Sequence, residues 1–264
     1  MKIAVCVKQV PSGDRPLDPR TGALIRAAGE NVINPWDVYA VSAALQTARI
    51  LKGTLTAISM GPPQAEETLR TAAAMGADSA VLVCGKEFGG ADVYATAFTL
   101  ARAIEKLGEF AIVFCGQQST DGDTAQLPFS LAVQLGIPAV GWVKRIEKVS
   151  PGEMTVLQEL GSGTQRLTFP FPAVIAAGME TCQPIPPSLK GRLKARGLAI
   201  QTLGPADLPC KGPYGLNASP TRVVKIERVH EQAKSQPLFL DPSAAARKIA
   251  EEMGVSANVL TSSS

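Results

Sequence analysis

Residues 111–127 read Ala-Ile-Val-Phe-Cys-Gly-Gln-Gln-Ser-Thr-Asp-Gly-Asp-Thr-Ala-Gln-Leu. This order is typical of a strand, a polar loop and the start of a helix. Ala111–Cys115 is a short apolar run typical of a buried parallel strand, which Gly116 is expected to end. Turn and N-cap residue types follow at Ser119, Thr120, Asp121 and Gly122, and the apolar periodicity from Thr124 to Gly136 predicts a helix. This order places free N–H groups and a helix dipole at the end of the strand, where phosphates bind well. An ordinary strand-to-helix connection is the alternative.

Composition limits the class of protein. The chain has 264 residues, of which 45% are hydrophobic and 19% charged, which suits a globular core. A net charge of +3 gives no indication of nucleic-acid binding. No apolar run reaches the roughly 18 residues of a membrane span, and residues 1–8 are typical of a first strand rather than a signal peptide. We therefore expect a cytoplasmic location.

Cysteine and histidine usage argues against several kinds of site. The five cysteines include no Cys-x-x-Cys, which argues against a disulfide framework, a zinc ribbon or an iron–sulfur cluster, so free thiols are expected. His230 is the single histidine. A single histidine argues against a Ser–His–acid triad and a histidine-rich metal site, and we expect no metal.

Strand and helix patterns alternate in the first half of the chain. Helices are predicted from Asn34, as the capping residue, to Leu51, and over 64–75, 92–107 and 124–135. Strands are predicted over 2–9, 53–60, 80–84 and 111–115. This alternation predicts a doubly wound α/β domain with a parallel sheet.

The pattern changes after Pro138. Short β-prone runs over 140–149, 154–160 and 164–169 predict an antiparallel extension that ends in a last buried strand over 173–177. The proline-rich stretch 179–220 is expected to hold little regular structure apart from a helix near Ser188–Ala195, and 221–229 can be extended. Asp241 is predicted to cap a final amphipathic helix with Ala246, Ile249, Ala250 and Met253 on one side. Such a helix should dock on this domain or on a partner subunit.

The usual nucleotide fingerprints are missing, since neither Gly-x-Gly-x-x-Gly nor a Walker A sequence occurs. Three loops at carboxyl ends of strands remain as candidates: the one after the first strand with Asn34, Met60-Gly61-Pro62, and Gly116–Gln126. They are expected to converge on one edge of the sheet. Asp121 and Asp123 suit a helix cap or a ribose hydroxyl, and paired acid–base catalysis is the alternative for them.

Several short motifs together carry a family resemblance. They are Lys2–Val10, Ile33-Asn34-Pro35, Ser59–Gln64, Ala74–Asp78, Cys115–Gln118 and Asp121–Gln126. On these motifs the chain resembles the family of electron transfer flavoprotein β subunits, across at least residues 1–200. The resemblance implies a fold like that of the adenine-nucleotide α-hydrolase domains, and a heterodimer with an α subunit that carries FAD.

The same resemblance implies which residues hold an adenine nucleotide. By motif, the cofactor-binding residues would be Cys6, Asn34, Pro35, Trp36, Asp37, Met60, Gly61, Asp92, Thr96, Gly116, Gln117, Gln118, Ser119, Thr120, Asp121, Gly122, Asp123, Thr124, Ala125, Gln126 and Leu127. Conventional members bind AMP and carry Asn-Gln-Thr where this chain has Ala125-Gln126-Leu127. The sequence Asp121–Leu127 of this chain, together with the segment Gly90–Thr96, resembles that of family members that bind a second FAD. Val93 replaces a threonine of that pattern, and Gln117, Ser119 and Thr120 depart from its Arg-x-Ala-Ile.

Residues 187–196 resemble the family's partner-recognition loop. Leu189 would anchor in a dehydrogenase, with Lys190 and Arg192 steering the encounter. A basic surface helix with Leu189 and Leu193 packed inward is the alternative. The resemblance thus divides the chain into a cofactor-binding α/β domain (1–180), a recognition loop and irregular connection (181–219), and a C-terminal arm that docks on the α subunit (220–264).

The function implied is that of an electron-transfer subunit in an oxidoreductase complex, with no acid or nucleophile supplied by this chain. The FAD-binding version implies flavin-based electron bifurcation between NAD(H), an acyl-CoA or 2-hydroxy-acid dehydrogenase, and ferredoxin or flavodoxin. A conventional subunit with structural AMP is the first alternative. The second is a non-redox adenine-nucleotide sensor or hydrolase on the same fold.

Overall fold

The computed structural model describes residues 1–13, 31–224 and 239–254. Two compact units are present, residues 1–225 and 226–264. The strands are β1 (Lys2–Cys6), β2 (Gln9–Pro11), β3 (Asn31–Ile33), β4 (Thr54–Met60), β5 (Ser79–Val83), β6 (Ile112–Gly116), β7 (Ala139–Ser150), β8 (Glu153–Leu160), β9 (Gly163–Pro170), β10 (Ala173–Ala177) and β11 (Ile200–Leu203). The α-helices are α1 (Pro35–Leu51), α2 (Glu66–Met75), α3 (Val93–Leu107), α4 (Leu127–Leu135), α5 (Leu189–Arg196) and α6 (Pro242–Glu252).

Within the described ranges, one large sheet has the strand order β11-β5-β4-β1-β6-β10-β7-β8-β9. The strands from β11 to β7 run parallel, and β7, β8 and β9 form the antiparallel extension. The chain moves outward from β1 through β4 and β5, then returns to β6 on the other side of β1. The strand order therefore reverses between β1 and β6, which is where α/β sheets bind ligands. The α/β prediction is confirmed.

Helices cover both faces of the parallel sheet. On one face, α1 and α2 contribute Val41, Ala44 and Leu69 to a fully buried core with β-strand residues such as Ile3 and Phe114. On the other face, α3 and α4 pack mainly through leucine, isoleucine and alanine against β1, β5, β6 and β10. The many buried alanines allow the helices to approach the sheet closely.

Helix boundaries follow residues with special backbone preferences. Pro35 occupies the first turn of α1, and α4 ends at Gly136 with a left-handed backbone (φ 66°). A 3-10 turn, Pro63–Ala65, precedes α2 where the sequence predicts one helix from Gln64. In the second unit, the Asp241 carboxylate accepts hydrogen bonds from the backbone N–H groups of Ser243 and Ala244, as predicted for the cap of α6.

Three parts of the fold differ from the sequence prediction. The strand predicted over 2–9 ends at Cys6, and β2 pairs with β3 in a separate antiparallel ribbon. The strand β10 is not the end of the antiparallel extension, because it lies between β6 and β7 and runs parallel to both. The proline-rich stretch contains β11, which pairs with β5, together with two 3-10 turns. Residues 221–224 have no regular structure, and the rest of 221–229, with His230, lies outside the described residues.

Candidate functional site

The loop between β6 and α4 is longer than the sequence predicts. Its helix begins at Leu127 and not at Thr124, because Asp123 (φ 47°) and Ala125 (φ 52°) have left-handed backbones that a right-handed helix cannot include. The strand β6 ends at Gly116 itself, one residue beyond the predicted Cys115. The N-cap position is Gln126, and its side chain makes no cap hydrogen bond, so the four turn residues Ser119–Gly122 do not cap α4.

Free backbone donors line the second half of this loop. Among the described residues, no acceptor is seen for the N–H groups of Gly122, Thr124, Ala125, Gln126 and Leu127. Ala125 is left-handed and Gln126 is right-handed (φ −100°, ψ −22°). Successive residues of opposite hand turn their N–H groups into a concavity that binds anions, and here it opens onto a helix N-terminus. The donor set therefore fits a phosphate group.

Asn34 has a different role from the predicted one. It occupies the N-cap position of α1, but its side chain makes no cap hydrogen bond. Its amide nitrogen donates to the Asp37 carboxylate (2.9 Å) and to the carbonyl oxygen of Gln118 (2.8 Å), while its amide oxygen accepts from the N–H of Thr120 (3.3 Å). The side chain is buried and thus fastens the β6–α4 loop to the start of α1.

Asp37 is the buried centre of this arrangement. Its carboxylate accepts hydrogen bonds from the Lys8 backbone N–H (2.6 Å) and from Asn34. Burial raises the pKa of Asp37 to about 7, against the hydrogen bonds from Lys8 and Asn34, the Lys8 charge and the Gly116 N–H, which lower it. A Cβ on Gly116 would overlap the Asp37 carboxylate, so only glycine allows β6 to approach α1 this closely. Both carboxylate oxygens are engaged within the protein.

Lys8 is a site residue that the sequence reasoning missed. Its ammonium group donates to Asp121 Oδ1 at 2.6 Å and lies 3.5 Å from Ser119 Oγ. Partial burial acts to raise the pKa of Asp121, but the hydrogen bond and charge of Lys8 hold it below its usual value. Lys8 belongs to the motif Lys2–Val10 and lies inside the strand predicted over 2–9, so the sequence pattern did not place it in a loop. In the structure β1 ends at Cys6, which leaves Lys8 beyond the end of the strand.

A cavity of about 370 Å³ lies beside the loop. Its walls come from the β2–β3 ribbon and from Pro35 and Thr120, and Val10, Pro11 and Val32 make much of the lining apolar. Pro35 is exposed and Trp36 is half-buried at this end of α1. The volume and the apolar lining suit a small planar ring system.

Cys6, Met60 and Gly61 lie at the carboxyl ends of neighbouring parallel strands. Cys6 on β1 is the register partner of Cys115 on β6, and Met60 ends β4. The hydrogen bond with Cys6, together with burial, raises the pKa of the Cys115 thiol well above its usual value. All five cysteines are described and none forms a disulfide. Met60 is half-buried, and the Gly61 N–H donates to the carbonyl of Val83.

Asp92 and Thr96 are at the start of α3, away from these hydrogen bonds. Asp92 Oδ1 caps α3 through the Ala95 N–H, and Oδ2 accepts from the backbone and the hydroxyl of Thr221. Burial acts to raise the pKa of Asp92, but these hydrogen bonds lower it below its usual value. In the described parts of the chain, no hydrogen bond links either residue to the β6–α4 loop. Asp92 thus anchors residues 219–221 to the helix.

The remaining predicted residues differ in exposure. Gln117 is buried, and its N–H donates to the carbonyl of Ala177 on β10. The segment Thr120–Thr124 is exposed, and Gln118, Ser119, Ala125 and Leu127 are half-buried. The Asp123 N–H donates to the carbonyl of Ser119, which closes a turn within the loop.

The basic helix α5 presents its leucines to solvent. Leu189 is 77% exposed and Leu193 is 60% exposed, so the inward-packed alternative is wrong. Lys190 and Arg192 are also exposed. The helix is attached to α2, because Arg70 donates to the carbonyl of Ala195 (2.8 Å). Ser188 caps its N-terminus through the Gly191 N–H.

Among the described residues, no group of three or more His, Cys, Asp or Glu side chains could hold a metal ion. Of the helices in the same ranges, none combines the length and the apolar content that crossing a membrane requires.

Comparisons with known proteins agree with the resemblance. The Electron transfer flavoprotein domain family matches residues 21–208. Over 235 residues the chain is 40% identical to the electron transfer flavoprotein subunit beta of Megasphaera elsdenii, covering 86% of this chain and 87% of that protein. It is 37% identical to the caffeyl-CoA reductase-Etf complex subunit CarD of Acetobacterium woodii (85% and 87% covered) and 36% identical to the protein FixA of Bradyrhizobium diazoefficiens (84% and 80% covered). The chain therefore belongs to the electron transfer flavoprotein family, in its group of β subunits and FixA proteins.

Proposed function

We propose that this chain binds the adenylate part of an FAD at the edge between β1 and β6. The observation that carries the proposal is the set of free N–H groups at Gly122 and at 124–127, where the left-handed Ala125 turns the backbone toward an anion. In this arrangement the loop holds the phosphates, and the apolar cavity beside Thr120 receives a ring. Asn34 and Asp37 hold the loop in place without contacting the ligand.

In the complex, we assign the chain a role in flavin-based electron bifurcation with NAD(H), a dehydrogenase, and ferredoxin or flavodoxin. A bound FAD supplies both two-electron and one-electron chemistry. The sequence Asp121-Gly-Asp-Thr-Ala-Gln126 and the similarity to a subunit named for a caffeyl-CoA reductase-Etf complex favour this assignment over structural AMP. In this proposal the described residues bind and orient the cofactor, and no proton transfer is assigned to them.

The two remaining parts of the chain are assigned to partners. Helix α5, with exposed Leu189 surrounded by Lys190 and Arg192, is proposed to dock a dehydrogenase that carries an apolar pocket with an acidic rim. Ala246, Ile249, Ala250 and Met253 form the apolar stripe of α6, which is proposed to dock on the α subunit. We retain the division into residues 1–180, 181–219 and 220–264 on these grounds.

The deciding experiment is to purify the complex with the α subunit and to extract its small molecules. Two flavins per heterodimer support the proposal. One flavin with one AMP supports the conventional alternative, and an adenine nucleotide in a complex without flavin supports the non-redox module. An empty β subunit contradicts all three.

A matched pair of variants tests the loop itself. Ala125→Val adds a β-branched side chain at a left-handed position, which the backbone disfavours, so the loop should change shape and the cofactor should be lost. Ala125→Gly keeps that conformation accessible and should retain the cofactor. Equal cofactor content in both variants would contradict the assigned role of the loop.

A further inference from the structure

Lys8 is the one positively charged side chain that hydrogen-bonds to the β6–α4 loop among the described residues. Its backbone is fixed, because its N–H donates to the buried Asp37 carboxylate at 2.6 Å. Its side chain reaches across from the end of β1 to Asp121 and Ser119. The ammonium group is therefore held at the place where the strand order reverses.

The pair between Lys8 and Asp121 is easy to separate. The two side chains are 45% and 31% exposed, and ion pairs at this level of exposure contribute little to stability. The carboxylate satisfies only part of the ammonium group, which has three N–H donors. The phosphate of AMP carries more charge than a carboxylate and offers three acceptor oxygens, and the pyrophosphate of FAD carries two negative charges.

The local charge also requires a cation. Asp121 and Asp123 are both in the exposed part of the loop. Free N–H groups alone would have to hold a phosphate against these carboxylates. A positive side chain that can turn toward the ligand reduces this repulsion.

We infer that Lys8 is a phosphate-binding residue that exchanges partners, leaving Asp121 for the phosphate of a bound adenine nucleotide. The inference rests on the proposed function, since it requires an adenylate at this edge. It makes Asp121 an internal competitor that occupies Lys8 while no ligand is present. Lys8 thereby distinguishes phosphorylated adenosine from adenosine itself.

The exchange predicts opposite effects for the two partners. In the full chain freed of co-purified nucleotide, Lys8→Gln should weaken AMP binding about tenfold, because one charge-assisted hydrogen bond is lost, and should leave adenosine binding unchanged. Lys8→Arg should keep the preference for AMP. Asp121→Asn should strengthen AMP binding about threefold, because the competing carboxylate is gone. Isothermal titration with AMP and with adenosine measures both dissociation constants for the wild type and for each variant.

A matched control variant shows whether the effect depends on the position of the lysine. Lys106→Gln makes the same charge change on an exposed lysine at the end of α3 and should alter neither constant. Thermal unfolding shows whether each variant is folded. If Lys8→Gln does not fold, Asp121→Asn still tests the inference. The inference is wrong if Lys8→Gln weakens AMP and adenosine binding equally, or if Asp121→Asn weakens AMP binding. Either result leaves the proposed function standing. A wild-type chain that binds neither compound overturns the proposed function as well.

Discussion

The side-chain amide of Asn34 donates to the carbonyl oxygen of Gln118 at 2.8 Å, although the two residues are 84 positions apart in the chain. The same amide group also bonds with Asp37 and Thr120. One buried side chain thus connects the first turn of α1 to the loop after β6, the two segments that meet beside β1.

Replacing Asn34 should therefore destabilise the fold. Asn34→Ala leaves the Thr120 N–H, the Gln118 carbonyl and one Asp37 oxygen without their partner, and we expect a loss of about 2–3 kcal/mol in the free energy of unfolding. Urea denaturation of the full chain measures it. Gln64→Ala, at an exposed side chain, should change stability by less than about 0.5 kcal/mol. A similar small change for Asn34→Ala would show that the loop does not depend on this connection.

Asp37 should make stability depend on pH. Burial raises its pKa from 3.8 to about 7, so between these values the folded chain holds a proton that the unfolded chain has lost. The stability from this proton is complete below about pH 4 and is lost as pH rises through about 7. A difference of about 3 pKa units corresponds to a change on the order of 4 kcal/mol.

The comparison with Asp37→Asn isolates this effect, because other titrating groups cancel between the two proteins. The free energy of unfolding of the wild type minus that of the variant should fall as the pH of urea denaturation is raised from 4.5 to 8. A difference that stays constant or grows with pH contradicts a raised pKa at Asp37.

Gly191 lies in the first turn of α5 and Gly197 directly follows its last residue, and the two should respond differently to alanine. A Cβ on Gly191 would overlap the carbonyl oxygen of Ala74 at the end of α2, whereas the nearest atom to a Cβ on Gly197 is 3.9 Å away. Gly191→Ala should therefore destabilise the chain by about 1–3 kcal/mol, and Gly197→Ala by less than about 0.5 kcal/mol. Thermal or urea unfolding measures both. Equal stabilities would mean that α5 is not packed closely on α2.

Truncating the exposed leucines should reduce docking and leave stability unchanged. Leu189→Ala removes an apolar side chain that is 77% exposed, so unfolding should change by less than about 0.5 kcal/mol. The KM for a purified acyl-CoA or 2-hydroxy-acid dehydrogenase in electron transfer should rise about tenfold, as for an interface anchor.

Ile50→Ala is the control for this variant, since Ile50 is 59% exposed but lies at the end of α1. It should leave the KM unchanged. If Leu189→Ala gives the same KM as Ile50→Ala with both dehydrogenases, α5 is not the docking element.

The strands and helices of the core could be predicted because each carries a local signal. Pro35 marks the start of α1, glycine ends α2 and α4, and the buried strands are apolar runs. The start of α4 could not be predicted, because alanine favours helices and nothing local shows that Ala125 is left-handed. The strand β11 was missed because it is short and its existence depends on pairing with β5.

The site could be predicted by location but not by contacts. Parallel strands bring their carboxyl ends to one edge, so the loops after β1, β4 and β6 were identified from their order in the chain. The hydrogen bonds of Asn34 and Lys8 join residues 84 and 113 positions apart. Such pairs depend on how the elements pack, which residue type and spacing do not reveal.

The strand β11 follows the basic helix α5 almost directly, and its ladder with β5 makes it the outer strand of the large sheet. The helix is thus held at both ends, by the packing of Gly191 on α2 and by a strand that cannot leave without breaking its ladder. A dehydrogenase that docks on Leu189 would therefore bind an element whose position relative to the large sheet is fixed.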